Sequence, residues 1–163
     1  MTSIHNMYMH INVSEQRKTR ASGEIPRFPC ACANLRRASR AVTRLYNREL
    51  RSEKIEITQF TLLMVLHRAG EISQGKLGQI LALDSTTLTR MLALLEKRGW
   101  IHEKEGEDRR VRIIGLTTAG RAKLQQGLPH WKRAQEQLRE ALGEQALGQL
   151  VKLLEQVTVL AAA

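Results

Sequence analysis

The sequence predicts a mainly α-helical protein with one small β-ribbon. Three observations predict this class. Apolar side chains recur at steps of three and four residues through most of the chain after residue 30. Two short helical segments follow each other across a tight turn, and two strand-like runs flank a charged tip at 106–110. With 163 residues, the chain can bury the core of one domain without disulfides or metals.

The charge balance favours a polyanionic partner. Lys and Arg number 26 against 16 Asp and Glu, so the formal net charge is +10. Such a field attracts nucleic acid. A membrane surface is the competing polyanion, but we find no apolar run of spanning length and no lipidation motif, so no membrane partner is expected. Residues 1–29 also lack the apolar centre of a secretory signal, which predicts a cytoplasmic protein.

The predicted helices begin after an N-terminal arm. Residues 1–29 show no sustained periodicity and predict a mobile arm or a loosely docked extension. A first amphipathic helix begins near Ala31, with an arginine-rich back. Thr58 is predicted to cap a second helix, and Gly70 to end it. The apolar face of the first helix comprises Leu35, Ala38, Val42 and Leu45, and that of the second comprises Phe60, Leu63, Met64 and Leu66.

The next two helices predict a helix-turn-helix. Ser73 is expected to cap the first and Asp84 the second, which Gly99 stops. Small, hydroxylic and basic side chains line the outer face of the second helix, and such a face fits a DNA major groove. The alternative is an ordinary solvated helix face. The outer face comprises Thr86, Thr89, Arg90, Ala93 and Lys97.

The strand-like runs predict a wing beside this recognition helix. Trp100–Glu105 and Val111–Leu116 bracket the tip as a two-stranded ribbon. A guanidinium at such a tip fits the narrow minor groove, and we expect Asp108 to brace the guanidinium fork of Arg110 by charge-assisted hydrogen bonds. Gly115 inside the returning strand suggests a bulge. The alternative is a polar hairpin tip with self-neutralising charges.

Three stretches together resemble the MarR family of winged helix-turn-helix regulators. They are LALDSTTLTRMLALLEKRGWI (81–101), DRR (108–110) and LTTAG (116–120). The resemblance implies a MarR-like domain over 30–163, with a DNA-binding lobe at 57–117 and dimerisation helices at 30–52 and 118–163. It also implies a homodimer on a pseudo-palindromic double-stranded DNA operator, usually a repressor that a small molecule or an oxidant releases.

The resemblance also assigns roles to particular residues. Positions in the recognition helix match the family's DNA-reading positions, the wing tip matches its Asp-x-Arg pair, and the start of the preceding helix matches a phosphate contact. The implied DNA-binding residues are Ser73, Gln74, Ser85, Thr86, Thr87, Thr89, Arg90, Asp108, Arg109 and Arg110.

The C-terminal third carries two apolar stripes, more than one lobe can cover, so part of this surface should meet a partner. The alternative is that both helices fold back on their own domain. Pro129 is expected to kink or split the first of them. The stripes comprise Leu124, Leu128, Trp131, Leu138 and Leu142 in the first helix, and Leu147, Leu150, Leu154, Val157 and Leu160 in the second.

Two cysteines raise the question of sensing. If Pro29 starts the first helix, Cys30 and Cys32 lie in its first turn, where the helix dipole and nearby arginines increase thiol reactivity. This predicts redox or soft-metal sensing, and the alternative is that each cysteine is a small buried apolar residue. The histidines have no metal-ligand spacing, so no metal site or cofactor is expected.

Catalysis is not expected, because phosphate-loop, nucleophile-elbow and zinc-helix motifs are all missing. The sequence therefore predicts a homodimeric, sequence-specific transcriptional regulator rather than an enzyme, and the resemblance implies that it is a repressor. The alternative function is an architectural DNA-binding protein that uses the same charges with weak sequence preference.

Overall fold

The computed structural model describes residues 29–162, so the predicted arm lies, except for Pro29, outside the described residues. The elements are α1 Ala31–Leu50, a 3₁₀ turn Arg51–Glu53, α2 Ile57–Ala69, β1 Ile72–Ser73, α3 Gln74–Leu81, α4 Ser85–Lys97, β2 Ile101–Glu105, β3 Arg112–Leu116, α5 Thr118–Leu142 and α6 Glu144–Ala162. This order confirms the predicted class, mainly helical with a small β-wing. From Ala41 onward the chain forms one compact unit.

The sheet has three antiparallel strands in the order β1-β3-β2. The ribbon of β2 and β3 was predicted to within one residue at each end. The two-residue strand β1 was not predicted, because a strand this short has no readable period. It is held by its pairing with β3, where Ile72 lies opposite Ile114.

The expected bulge at Gly115 is wrong. Pairing between β2 and β3 is continuous from Ile101–Leu116 to Glu105–Arg112, and Gly115 lies opposite His102. A Cβ at position 115 would come within 2.6 Å of Nε2 of His102. The glycine therefore makes room for the imidazole in a regular ribbon.

The start of α2 also differs from the prediction. Its N-cap is Glu56 rather than Thr58, because Glu56 and Gln59 form a capping box in which each side chain bonds the other residue's backbone N–H. The backbone N–H of Ile57 donates to Oδ1 of Asn47 at 2.7 Å, which satisfies another free donor of this helix end. The helix ends at Gly70, as predicted, with φ of +73°.

The core lies where α2, α3, α4 and the sheet meet, and α5 covers it. Aliphatic side chains dominate it, and the ring of Phe60 is fully buried among them. The most deeply buried side chains are Leu50, Phe60, Leu62, Leu63, Leu66, Leu77, Leu88, Leu95, Ile114 and Leu124. This packing positions the recognition helix and the wing on one framework.

The two C-terminal helices differ in whether their apolar stripes pack against their own domain or stay exposed. In α5, Leu124 is buried and Leu128 and Trp131 pack against the core, so the first half of this stripe folds back on its own domain, whereas Leu142 near the helix end is 45% exposed. Pro129 does not split the helix, which continues from Thr118 to Leu142. In contrast, every described side chain of α6 except that of Leu147 is exposed. None of the helices in the described part of the chain is long and apolar enough to cross a membrane.

Candidate nucleic-acid interface

The recognition helix α4 begins at a strong cap. As predicted, Asp84 caps it: Oδ1 accepts from the backbone N–H of Thr87 at 2.9 Å, and Oδ2 accepts from the Thr87 hydroxyl at 2.7 Å. The backbone hydrogen bond is the main reason why the pKa of Asp84 is lowered, and the hydroxyl bond adds to it. The ionised carboxylate therefore stabilises the N-terminal end of α4.

The helix α4 has a buried apolar face and an exposed polar face. Leu88, Leu92 and Leu95 are buried against the core. The predicted outer face, including Thr86, Thr89 and Arg90, is exposed, as are Ser85 and Thr87 in the first turn. The polar side chains of α4 therefore point away from the lobe. A DNA major groove is wide enough to accommodate an α-helix with such a face.

The preceding helix α3 contacts the recognition helix through side chains. Ser73 caps α3 as predicted, with Oγ accepting from the backbone N–H of Lys76 at 3.2 Å. Gln74, expected only at phosphate, donates from Nε2 to the Thr89 hydroxyl oxygen at 3.1 Å. Sequence reasoning missed this bond because its partners lie fifteen residues apart.

The wing tip is braced differently from the prediction. Asp108 Oδ1 accepts from the backbone N–H of Arg110 at 2.9 Å. The ion pairs of the described residues do not include one between the side chains of Asp108 and Arg110. The Asp108 carbonyl also accepts from the N–H of Val111 at 2.8 Å. A carboxylate that accepts from the backbone N–H two residues later forms an Asx turn. The Asp108 carboxylate therefore bonds the backbone N–H of Arg110 and not its flexible guanidinium group. Arg109 and Arg110 are both exposed.

Ion pairs hold the base of the wing. Arg112 donates to Glu103 at 2.6 Å across β2 and β3, and Lys104 donates to Glu71 at 2.5 Å. The hydrogen bond from Lys104 is the main reason why the pKa of Glu71 is lowered. Exposed pairs of this kind contribute little stability. They pair the charges at the base, whereas the tip carries Arg109 and Arg110 beside the acidic Glu107 and Asp108.

A cationic cleft lies between the second half of α1 and the start of α2. It is open to solvent, has a volume of about 720 Å³, and combines apolar and polar side chains, Glu56 among them, with five basic ones: Arg44, Arg48, Arg51, Lys54 and Arg98. Arg98 follows α4 directly and donates to the Lys54 carbonyl at 3.2 Å and to Gln59 Oε1 at 3.1 Å. Its guanidinium carbon also lies 4.8 Å from the centre of the Trp100 ring.

The two cysteines are exposed, so the interpretation that they are buried apolar residues is wrong. The helix begins at Ala31 rather than Pro29, and Cys30 precedes it with a carbonyl that accepts from the N–H of Asn34 at 3.2 Å. Cys32 lies inside the first turn. Among the residues that the structure describes, no three His, Cys, Asp or Glu side chains are grouped to hold a metal ion.

Comparisons with known proteins agree with this geometry. A sequence profile described as the MarR family matches residues 55–111. The organic hydroperoxide resistance transcriptional regulator of Bacillus subtilis is 37% identical over 90 residues, which are 55% of this chain and 61% of that regulator. The chain thus matches less than two thirds of that relative's length.

Two solved structures share the fold over most of the chain. The M. tuberculosis transcriptional regulator MosR, in complex with DNA, is 30% identical with a TM-score of 0.75, covering 82% of this chain and 96% of that one. A MarR variant from E. coli, in complex with operator DNA, is 28% identical with a TM-score of 0.71, covering 77% and 91%. This fold is that of transcriptional regulators rather than of enzymes.

Proposed function

This chain belongs to the MarR family of DNA-binding transcriptional regulators, and from that premise we propose that it is a cytoplasmic homodimeric repressor that reads a pseudo-palindromic operator. The observation that carries the proposal is the pairing, on one lobe, of an exposed hydroxylic and basic face on α4 with the exposed arginine tip of the wing.

The two parts have different tasks on DNA. Ser85, Thr86, Thr89 and Arg90 reach base edges and nearby phosphates when α4 enters the major groove. Arg109 and Arg110 enter or flank the adjacent minor groove, where the negative potential favours guanidinium groups. The Asx turn at Asp108 shapes the tip backbone, which supports presentation of both arginines toward the duplex.

The exposed apolar side chains of α6 support the homodimer. An unpartnered helix with this much apolar surface gains stability when a second copy covers it. Two recognition helices related by a twofold axis then reach successive major grooves, about 34 Å apart. The large apolar side chains of α6 that are at least 40% exposed are Leu150, Val151, Leu153, Leu154, Val157, Val159 and Leu160.

Two features support release by an effector. The cationic cleft fits a small anionic ligand such as an aromatic acid, and Arg98 on its wall follows the recognition helix directly. A carboxylate that binds Arg98 competes with Lys54 and Gln59 for its donors and thereby shifts the end of α4. Oxidation of the exposed Cys30 or Cys32 is the second route.

Competition binding tests the central proposal. The full chain is titrated with the DNA that flanks its own gene, against scrambled duplex of equal length at fixed salt. We expect a specificity ratio of about 10³ or more and protection of an inverted repeat. A ratio near one would instead identify an architectural DNA-binding protein.

The effector routes are tested separately on the same duplex. Benzoate should weaken DNA binding by the wild type and have less effect on Arg98→Ala if the cleft is the effector site. Mild peroxide should weaken binding by the wild type but not by whichever of Cys30→Ser and Cys32→Ser removes the sensing thiol. Identical peroxide responses in all three proteins would exclude thiol sensing.

A further inference from the structure

The contact between Gln74 and Thr89 joins the two helices of the helix-turn-helix at the DNA-facing surface. Gln74 is the first residue of α3 and is partly buried, whereas Thr89 is exposed on α4. The amide nitrogen Nε2 of Gln74 donates to Oγ1 of Thr89 at 3.1 Å. Thr89 is thus the outer-face hydroxyl that is tied to the preceding helix.

Close packing of the two helices holds this pair together. One turn after Gln74, Gly78 is buried, and a Cβ there would lie 3.3 Å from Cδ2 of Leu88, the neighbour of Thr89. Leu88 is only 2% exposed. Because α3 and α4 meet this closely beside the hydrogen bond, the distance between the two side chains is set by core packing.

The hydrogen bond from Gln74 determines whether the Thr89 hydroxyl donates or accepts toward DNA. A threonine hydroxyl has one proton to donate and two lone pairs that accept. Gln74 occupies one lone pair, so the proton remains available to DNA. The Thr87 hydroxyl can only accept a further hydrogen bond, because it already donates its proton to Asp84. Two hydroxyls of one helix therefore present different hydrogen-bonding groups.

We propose that Gln74 is a specificity-determining positioning residue, which fixes the Thr89 hydroxyl as a hydrogen-bond donor toward one base in each half-site. In the major groove, guanine, adenine and thymine each offer an acceptor, whereas the polar group of cytosine there is a donor. The pair therefore selects against cytosine at that position. This inference rests on the proposed function, because it requires α4 to enter the major groove.

The competing role for Gln74 is a phosphate contact alone. A phosphate contact changes affinity by the same factor for every sequence, because phosphates carry no base identity. A positioning role changes the preference at one base and requires the Thr89 hydroxyl. The two roles are separated by measuring preference as well as affinity, in the presence and absence of that hydroxyl.

The experiment is selection from a pool of randomised duplexes, followed by affinity measurements at the selected site. The full-length wild type is compared with Gln74→Ala, Thr89→Val and the double variant. Gln79→Ala, an exposed glutamine on the same helix, is the matched control. Thermal unfolding of each protein checks that the fold is retained.

We expect Gln74→Ala to lose about five- to tenfold discrimination against cytosine at one position per half-site, as for one good base contact. Thr89→Val should lose it at the same position, and the double variant no more than Thr89→Val. In Gln74→Glu the carboxylate only accepts, so Thr89 donates to it and preference should move toward cytosine or adenine.

Three outcomes overturn the inference, and one of them also overturns its premise. If Gln74→Ala lowers affinity equally for all sequences, and does so in the Thr89→Val background too, Gln74 is a phosphate contact only. If the selected site is unchanged in Gln74→Ala, Gln74 does not position Thr89. If the wild type enriches no site, the proposed sequence-specific function fails as well.

Discussion

The predicted DNA-binding lobe, residues 57–117, and the C-terminal helix α6 carry similar aliphatic side chains but bury them very differently. Leu63 of the lobe is 0% exposed, whereas Leu153 of α6 is 58% exposed. The apolar faces of the lobe are covered by its own helices and sheet and by α5. The apolar side chains of α6 stay exposed, and they form the surface that the proposed second copy would cover.

The largest expected effect concerns the lobe. Leu63→Ala leaves a cavity in a close-packed core and should lower the free energy of unfolding by about 2–5 kcal/mol. The same change at Leu153 should cost far less in protein diluted below the dimerisation range. Urea unfolding of both variants measures the difference. Equal losses at low concentration would mean that α6 is packed within its own subunit.

The second prediction addresses the surface of α6. Leu150→Glu combined with Leu154→Glu places two carboxylates on the apolar stripe, where burial without partners is costly. We expect the dimer dissociation constant to rise about 100-fold or more, or about 2.7 kcal/mol. Analytical ultracentrifugation measures it, with Gln149→Glu as the control on the same helix. A dimer that survives the double change would place the interface elsewhere.

The third prediction concerns the wing, where the lobe acts through exposed charge rather than packing. Arg110→Ala should weaken operator binding by about 1–3 kcal/mol, as for a typical groove contact. Arg112→Ala is the matched control, because Arg112 is already paired with Glu103 at the base. Fluorescence anisotropy at fixed salt compares them. Unchanged affinity in Arg110→Ala would remove the wing from DNA recognition.

The smallest effect is a pH dependence at the start of α4. The native hydrogen bond to Thr87 lowers the pKa of Asp84 below its ordinary value of 3.8. The ionised cap therefore stabilises the folded protein above that pH, and this stabilisation is lost as the pH falls through the lowered native value. Asp84→Asn removes the titrating group while keeping a capping oxygen.

Thermal unfolding between pH 3 and 6, approximately the range in which carboxyl groups titrate, checks this. The melting temperature of the wild type should fall more steeply below about pH 4 than that of Asp84→Asn. Parallel curves would show that Asp84 makes no pH-dependent contribution to stability.

The predictions that the structure confirms depend on local chemistry. Ser73 and Asp84 bond backbone groups three residues ahead, and Gly70 ends α2, so each signal lies within one helical turn. The ribbon of β2 and β3 was readable for the same reason. The cap of α2 is predicted at Thr58 but formed by Glu56, whose reciprocal bonding with Gln59 is also a local signal with a spacing of three residues.

The features that were missed depend on segments far apart in the chain. The strand β1 exists because Ile72 and Ser73 pair with residues about forty positions later. The bond from Gln74 to Thr89 depends on how closely α3 packs against α4. At the wing, Asp108 had two donors within reach, and only the turn geometry selected the backbone N–H over the guanidinium.

The sequence by itself determined the helices, the ribbon, most caps and the concentration of positive charge, because periodicity, capping and composition act over a few residues. Tertiary structure decided which apolar stripes are buried. The first half of the α5 stripe packs against the core that contains Phe60, whereas the α6 stripe stays exposed. The two stripes look alike in sequence, and burial depends on which distant surface is available to cover each one.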